Sequence, residues 1–425
     1  MATVYASFDA PAVANVQTGV LTGYDAATTY IVTINGKTVS IVGTGGTVTT
    51  TATALLALLQ ASTEPEYTEV AWTSNAGSII ATDSQDPAVG RTHTITLTKS
   101  GGTGTVTDFA QTTAASGPSG LIANNCRDSA TLARGLPVST DTFEISQSDV
   151  DLLYKLDAIA AVALAVLRVR ASYTGNAGMY VTNADGTLEY NEYRPRFLQV
   201  DGATNCYIGE GEGDGSGRLM IDLLTTASNV FVYKTGTPAD DHLHALILKG
   251  DDSANTLKVE GDSTVDVSPF LCEAATWGTV TAIEDSTLRL GENTTVTTIN
   301  AGGNAVVTVN CNVGTPTINI YDKAVVRLVG SAAPGTVNVF GEGAQFIHQG
   351  SGTVTALNLY DGAVLDASEN PNAFTVTTLN GYGAPEIKDP NSRMTITNAI
   401  GVNGSVFSDW KWTLKQGRAL TLGAP

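Results

Sequence analysis

Residues 209–217 read GEGEGDGSG, a glycine at every other position with Glu210, Glu212 and Asp214 between them. In an extended chain alternate side chains share a face, so the three carboxylates would line up as ligands for a cation such as calcium. The calcium-binding nonapeptide needs GGxGxDx and then a large apolar residue, in several copies. Here Ser216 holds the apolar place and the run occurs once. A phosphate-cradling loop needs GxxxxGK[ST], whereas Gly217 is followed by Arg218 and Leu219. The run therefore reads as a turn between strand-like pieces 205–208 and 219–224, with Glu210, Glu212 and Asp214 as a candidate metal set. A second candidate is Asp240-Asp241-His242-Leu243-His244: in a strand His242 and His244 share a face. The Gly-Thr-Pro-Ala just before them marks an exposed loop instead. Neither set calls for a cofactor.

The bulk composition narrows the function classes. A chain of 425 residues with 42% hydrophobic residues holds real cores and two or three domains. Its net charge of −19 argues against a nucleic-acid backbone or an anionic membrane as the main partner. The first residues show no basic, then apolar, leader pattern, and the most apolar run, 158–167, is too short to cross a bilayer. Cys126, Cys206, Cys272 and Cys311 are far apart and form no CxxC, so they read as buried free thiols.

Residues 1–118 read as a small α+β domain. YIVTINGKTVSIV at 30–42 is a hairpin about Asn35-Gly36, the pair a type I′ turn demands. TATALLALLQAS at 51–62 is a threonine-capped helix ended by Pro65, and 70–82 and 92–98 are strands. The Gly/Thr/Ser-rich stretch 100–119 reads as a linker. From 119 to 400 the expectation is a parallel β-solenoid, right-handed and single-stranded, most regular over 277–382. Leu288, Val307, Val326, Phe346 and Leu365 recur at spacings of 19, 19, 20 and 19. Val280, Ile299, Ile318, Val337 and Leu357 recur at 19, 19, 19 and 20. Two ladders with one period, each period-two within its segment, mark stacked coils rather than a sandwich or a propeller, whose blades need about 40 residues. Residues 401–425 read as the cap that a solenoid end requires.

The outward positions of the first ladder are where a solenoid of this kind would carry chemistry. A glycan-cleaving β-helix needs paired acids on neighbouring coils, and that face holds none. It carries Val306, Val325, Ile347 and Val364, an apolar stripe that predicts a homo-oligomer, a trimer of solenoids packed about a common axis. His348 occupies an inward place filled by Leu290, Val309 and Leu328 in other coils, and reads as a core histidine. Trp410 and Trp412 share a strand face in the cap, where they could stack on a sugar.

YRPRFLQVDG at 193–202, GEGEGDGSGRLMIDL at 209–223 and ALILKG at 245–250 resemble a poorly characterised family of β-solenoid virion proteins of tailed bacteriophages and prophages. The hairpin TYIVTINGKTVSIV followed by a Thr/Ala/Leu helix resembles a small domain on phage virion proteins. The resemblance spans about residues 20–300, and its motifs are structural. It implies a virion component and does not specify the part of the particle. The expectation is a non-enzymatic structural protein assembled in the host cytoplasm, an exterior head decoration or fibre-like part. The N-terminal domain would attach it to other virion proteins, such as capsid or tail. The alternative expectation is a tailspike-like protein that binds or cleaves glycans.

Overall fold

A computed structural model describes residues 2–83, 93–178, 197–215, 217–236, 245–268, 274–311, 314–402, 413–414 and 421–422. The protein is mostly β, 47% strand and 6% helix, with a parallel β-solenoid of about 11 turns from residue 142 to 400. Each regular coil contributes one strand to each of two parallel sheets that share a continuous apolar core. The coil 317–335 is representative. Thr317–Ile320 lies in the first, longer sheet, a turn with Asp322 at φ 57 follows, Val325–Leu328 lies in the second sheet, and the chain returns to Thr336–Val339.

The stacking comes directly from the alternation. In TINI and VVRL every second side chain is buried, while backbone groups bond to the coils on either side. Both ladders are in register. Leu288 pairs with Val307, Val307 with Val326, Val326 with Phe346 and Phe346 with Leu365. In the first sheet Val280, Ile299, Ile318, Val337 and Leu357 pair in succession. Each of these side chains is fully buried, a gain of about 1.5–3 kcal/mol apiece before entropy is set against it. Coils upstream of 277 are less regular in length, yet the pairing runs back unbroken to Thr142–Ile145.

The small domain differs from the expected layout in two ways. Thr105–Thr113 is a strand, not a linker, and pairs antiparallel with Val16–Gly23. Most of its side chains are exposed, so no inward alternation betrayed it, although its threonines favour strands. Second, the domain boundary at 118 does not hold at the N-terminus. Thr3–Ala6 pairs parallel with Thr142–Ile145 and antiparallel with Cys126–Asp128, so the chain begins inside the solenoid's first sheet. A four-residue strand with no repeat partner left no periodic signal. The small domain is thus an insertion, closed at its neck by mutual bonds between Val13 and Ser116 at 2.8 and 3.0 Å.

Within it a three-stranded and a four-stranded antiparallel sheet pack with the helix Val48–Gln60 around Tyr30, Val32, Leu55, Leu59 and Trp72. The hairpin turn has Asn35 at φ 46 and Gly36 at φ 77, as type I′ requires. Thr47 caps the helix by accepting from the Thr50 amide at 3.1 Å. Cys126, Cys206 and Cys311 are buried free thiols, and burial pushes each up to about 12, which keeps them protonated. Cys272 lies outside the described residues.

Candidate functional site

The glycine run forms one corner of the solenoid, between the coil below at 171–175 and the coil above at 234–236. Gly209, Gly211, Gly213 and Gly215 all have positive φ, 72, 91, 139 and 85°. A Cβ on Gly209 would overlap the Lys234 carbonyl, and one on Gly213 would overlap the Ala171 carbonyl. At Gly209 and Gly213 adjacent coils approach too closely for a side chain, whereas Gly211 has open space around it.

The corner delivers Glu210 and Glu212 to a surface groove of about 450 Å³, lined also by Glu144, Ser146, Gln147, Arg170 and Ser172. Glu210 lies 2.8 Å from Arg168 Nε and 3.1 Å from Arg170 Nη1. Glu144 accepts from Arg170 Nε at 3.2 Å and Nη2 at 3.1 Å. Arg168 in turn lies over the Tyr207 ring at 5.5 Å, and Tyr207 stacks on Phe231 at 5.3 Å. Two guanidinium groups thus knit two carboxylates into a rigid network on the outer face of three successive coils.

This overturns the three-acid cation reading. Glu210 is engaged by the two arginines. Asp214 points wholly into solvent, with Lys234 Nζ 4.0 Å away. Among the described residues no three His, Cys, Asp or Glu side chains are placed to hold a metal. His242, His244, Trp410 and Trp412 lie outside the described residues.

The expected oligomer stripe is also broken. Val306 and Val325 are neighbours in one outward column, but Gln345 separates Val325 from Val364. Ile347 stands in the next column, between Arg327 and Asp366. Ile347 follows Phe346 as Arg327 follows Val326, so the expected stripe joined residues from two different outward columns. Of the acids on this face, Asp266 is fully buried and bound by Arg289, with Nη2 at 3.3 Å.

His348 is a core histidine. It is fully buried, stacked on Phe374 with ring centroids 3.8 Å apart, and bonded to Gly352 O and Asn370. His93, the other described histidine, is buried in the small domain between Asp83 and Glu69.

The outer face of the first sheet holds two ladders that the buried apolar columns do not reveal. Asn319 donates to Asn300 at 2.9 Å, Asn338 to Asn319 at 2.8 Å, Asn358 to Asn338 at 2.7 Å and Asn380 to Asn358 at 2.7 Å. Beside this amide ladder runs an aromatic one, Tyr321, Phe340, Tyr360 and Tyr382. The signal was in the sequence as TINIY, TVNVF, ALNLY and TLNGY. No protein-family model, curated protein or solved structure matches the chain.

Proposed function

We propose that this protein is a non-enzymatic structural component of a tailed-bacteriophage particle, an exterior decoration or fibre-like part. Its solenoid is the stiff body and its inserted small domain the attachment module. One observation carries the scaffold role: the outer face of the first sheet is spent on side-chain ladders that bond coil to coil. An amide column that donates to itself over five coils strengthens the stacking, and it leaves no convergent reactive groups there. Likewise the carboxylates Glu144 and Glu210 in the groove are occupied by arginines rather than aimed at a substrate. Eleven turns at about 4.8 Å each give a body roughly 50 Å long, longer than the five regular coils alone would make. The virion assignment draws on the sequence resemblance at 193–250 and in the hairpin–helix. Any self-association would use a surface other than the interrupted column of Val306, Val325 and Val364.

The test is antibody labelling of intact particles from cells that express the gene, together with co-sedimentation of the purified protein with particles lacking it. Stoichiometric, regular labelling and saturable co-sedimentation are expected. Absence of the protein from purified particles overturns the assignment.

A further inference from the structure

The small domain keeps one sheet edge open. Lys37–Val42 is the outer strand of the three-stranded sheet, and every second residue along it is exposed. Its two-residue turn at Asn35-Gly36 sets the bonding pattern: Ile34 with Lys37, Val32 with Val39 and Tyr30 with Ile41 exchange backbone bonds. Gly43 N donates to Thr28 O at 2.8 Å as the next rung of that alternation. Thr38, Ser40 and Val42 therefore point their N–H and C=O groups away from the sheet. Among the described residues nothing bonds to these six groups. Two other edges of the domain are blocked by side chains. Leu97 N, on the strand Ile95–Ser100, donates to Asp108, and Trp72 O, on the strand Val70–Asn75, accepts from Gln60 Nε2 at 3.0 Å.

A helix runs along the open edge. Thr51 Oγ1 donates to Thr44 O at 2.9 Å just past the strand's end. Lys37, at the strand's start, lies 2.6 Å from Glu64 beyond the helix. The helix Val48–Gln60 is thus antiparallel to the strand. Leu58 lies seven residues after Thr51, two turns on along the same flank, and is 43% exposed, while Val42 is 52% exposed.

We propose that Lys37–Val42 pairs antiparallel with the same strand of a second copy, about a two-fold axis through Ser40, so that one six-stranded sheet joins two small domains. The register satisfies all six open groups of each copy: Thr38 faces Val42 of the partner subunit, and Ser40 faces Ser40 of the partner subunit. On the helix side Val39 meets Ile41 of the partner subunit, a cross-strand pair of β-branched residues that favours pairing. No like charges meet. Lys37, the only charged residue of the strand, is held by Glu64 and Glu66 and faces Gly43 of the partner subunit. A shift of two residues either way leaves Thr38 or Val42 with no strand residue opposite. A strand of another protein would have to match this pattern independently, whereas a second copy matches it by symmetry. The pairing goes beyond the attachment role and is independent of the virion assignment.

Sedimentation velocity of the purified full-length protein, from about 1 to 100 µM as suits so small an interface, tests this. A monomer–dimer equilibrium is expected. Ser40→Pro removes an outward N–H from an edge strand, where proline is tolerated. It should weaken dimerisation tenfold or more and leave the thermal melt unchanged. Ser40→Lys and Ser40→Glu each set like charges against each other across the axis, so each should be monomeric, and an equimolar mixture of the two should dimerise again. A wild-type monomer over the whole range overturns the proposal, as does a dimer that Ser40→Pro leaves intact. So does a mixture of the two charged variants that stays monomeric. A monomer that instead binds another particle protein, and loses it in Ser40→Pro, assigns the edge to a foreign strand and overturns self-pairing.

Discussion

His348 makes the core of this solenoid sensitive to acid. Its Nε2 lies 3.2 Å from Gly352 O and its Nδ1 3.0 Å from Asn370 Nδ2. A carbonyl needs a donor and an amide nitrogen needs an acceptor, so the ring is neutral with its proton on Nε2. A second proton would face the Asn370 N–H inside a dry core. Burial accordingly lowers the pKa of His348 from 6.5 to about 4. Above pH 6.5 both folded and unfolded chains carry a neutral ring, and stability is full. Between pH 6.5 and 4 the unfolded chain takes up the proton and the folded chain does not, so stability falls as pH falls. A shift of that size corresponds to about 3 kcal/mol lost by pH 4. Carboxylates titrate over the same range, so the comparison must be with His348→Leu, the residue type that Leu328 supplies one coil earlier. Urea unfolding of both proteins at pH 7.5, 5.5 and 4 should show the wild type losing about 3 kcal/mol more than the variant. The variant will start lower at pH 7.5, because Gly352 O loses its partner. Parallel pH dependences for the two proteins would refute the reasoning.

Two further substitutions probe the stack and its corner. Phe346→Ala empties a fully buried place between Val326 and Leu365 and should cost about 3–5 kcal/mol. Because each coil touches only its neighbours, it should also split the thermal transition into two, and a single unshifted transition would contradict the continuous core. Gly209→Ala should destabilise far more than Gly211→Ala, although both have positive φ. The new methyl at 209 collides with the Lys234 carbonyl, whereas at 211 the nearest atom, Arg170 Nη1, is 4.0 Å away. The left-handed backbone alone costs about 1 kcal/mol at 211. Equal effects in chemical denaturation would mean that coil contact does not select these glycines.

The repeat was legible because the buried columns are made of one residue class at one spacing. Leu288 to Leu365 and Val280 to Leu357 needed no tertiary information beyond the period of two. What escaped was everything set by contacts without a period. Thr3–Ala6 is a single strand whose partners lie more than a hundred residues away at 126–128 and 142–145. Arg168 and Arg170 lie on one strand, and only the stacking of three coils brings them against Glu144 and Glu210. The three acids of the glycine run alternate in sequence, yet positive φ at the intervening glycines destroys the extended geometry that would align them. The amide and aromatic ladders have a period too, but they lie at outward positions, where polar side chains ordinarily face solvent.

The corners explain how the ladders survive changes in coil length. From Ile318 to Val326 is eight residues, as from Ile299 to Val307, while from Val337 to Phe346 is nine. The extra residue sits in the turn 340–344, where Gly341 and Gly343 both have positive φ. From Val326 to Val337 is eleven residues and from Leu365 to Leu379 fourteen; the three added residues lie in the return between Val364–Asp366 and Phe374–Tyr382. Neither insertion enters a strand, so Asn338, Asn358 and Asn380 remain in line although their separations are 20 and 22 residues rather than 19. A one-residue slip within a strand would turn the apolar columns outward, whereas a residue added at a corner changes only loop length, at small entropic cost. Selection on such a molecule can therefore alter the corners freely while the flat outer face of the first sheet keeps its order.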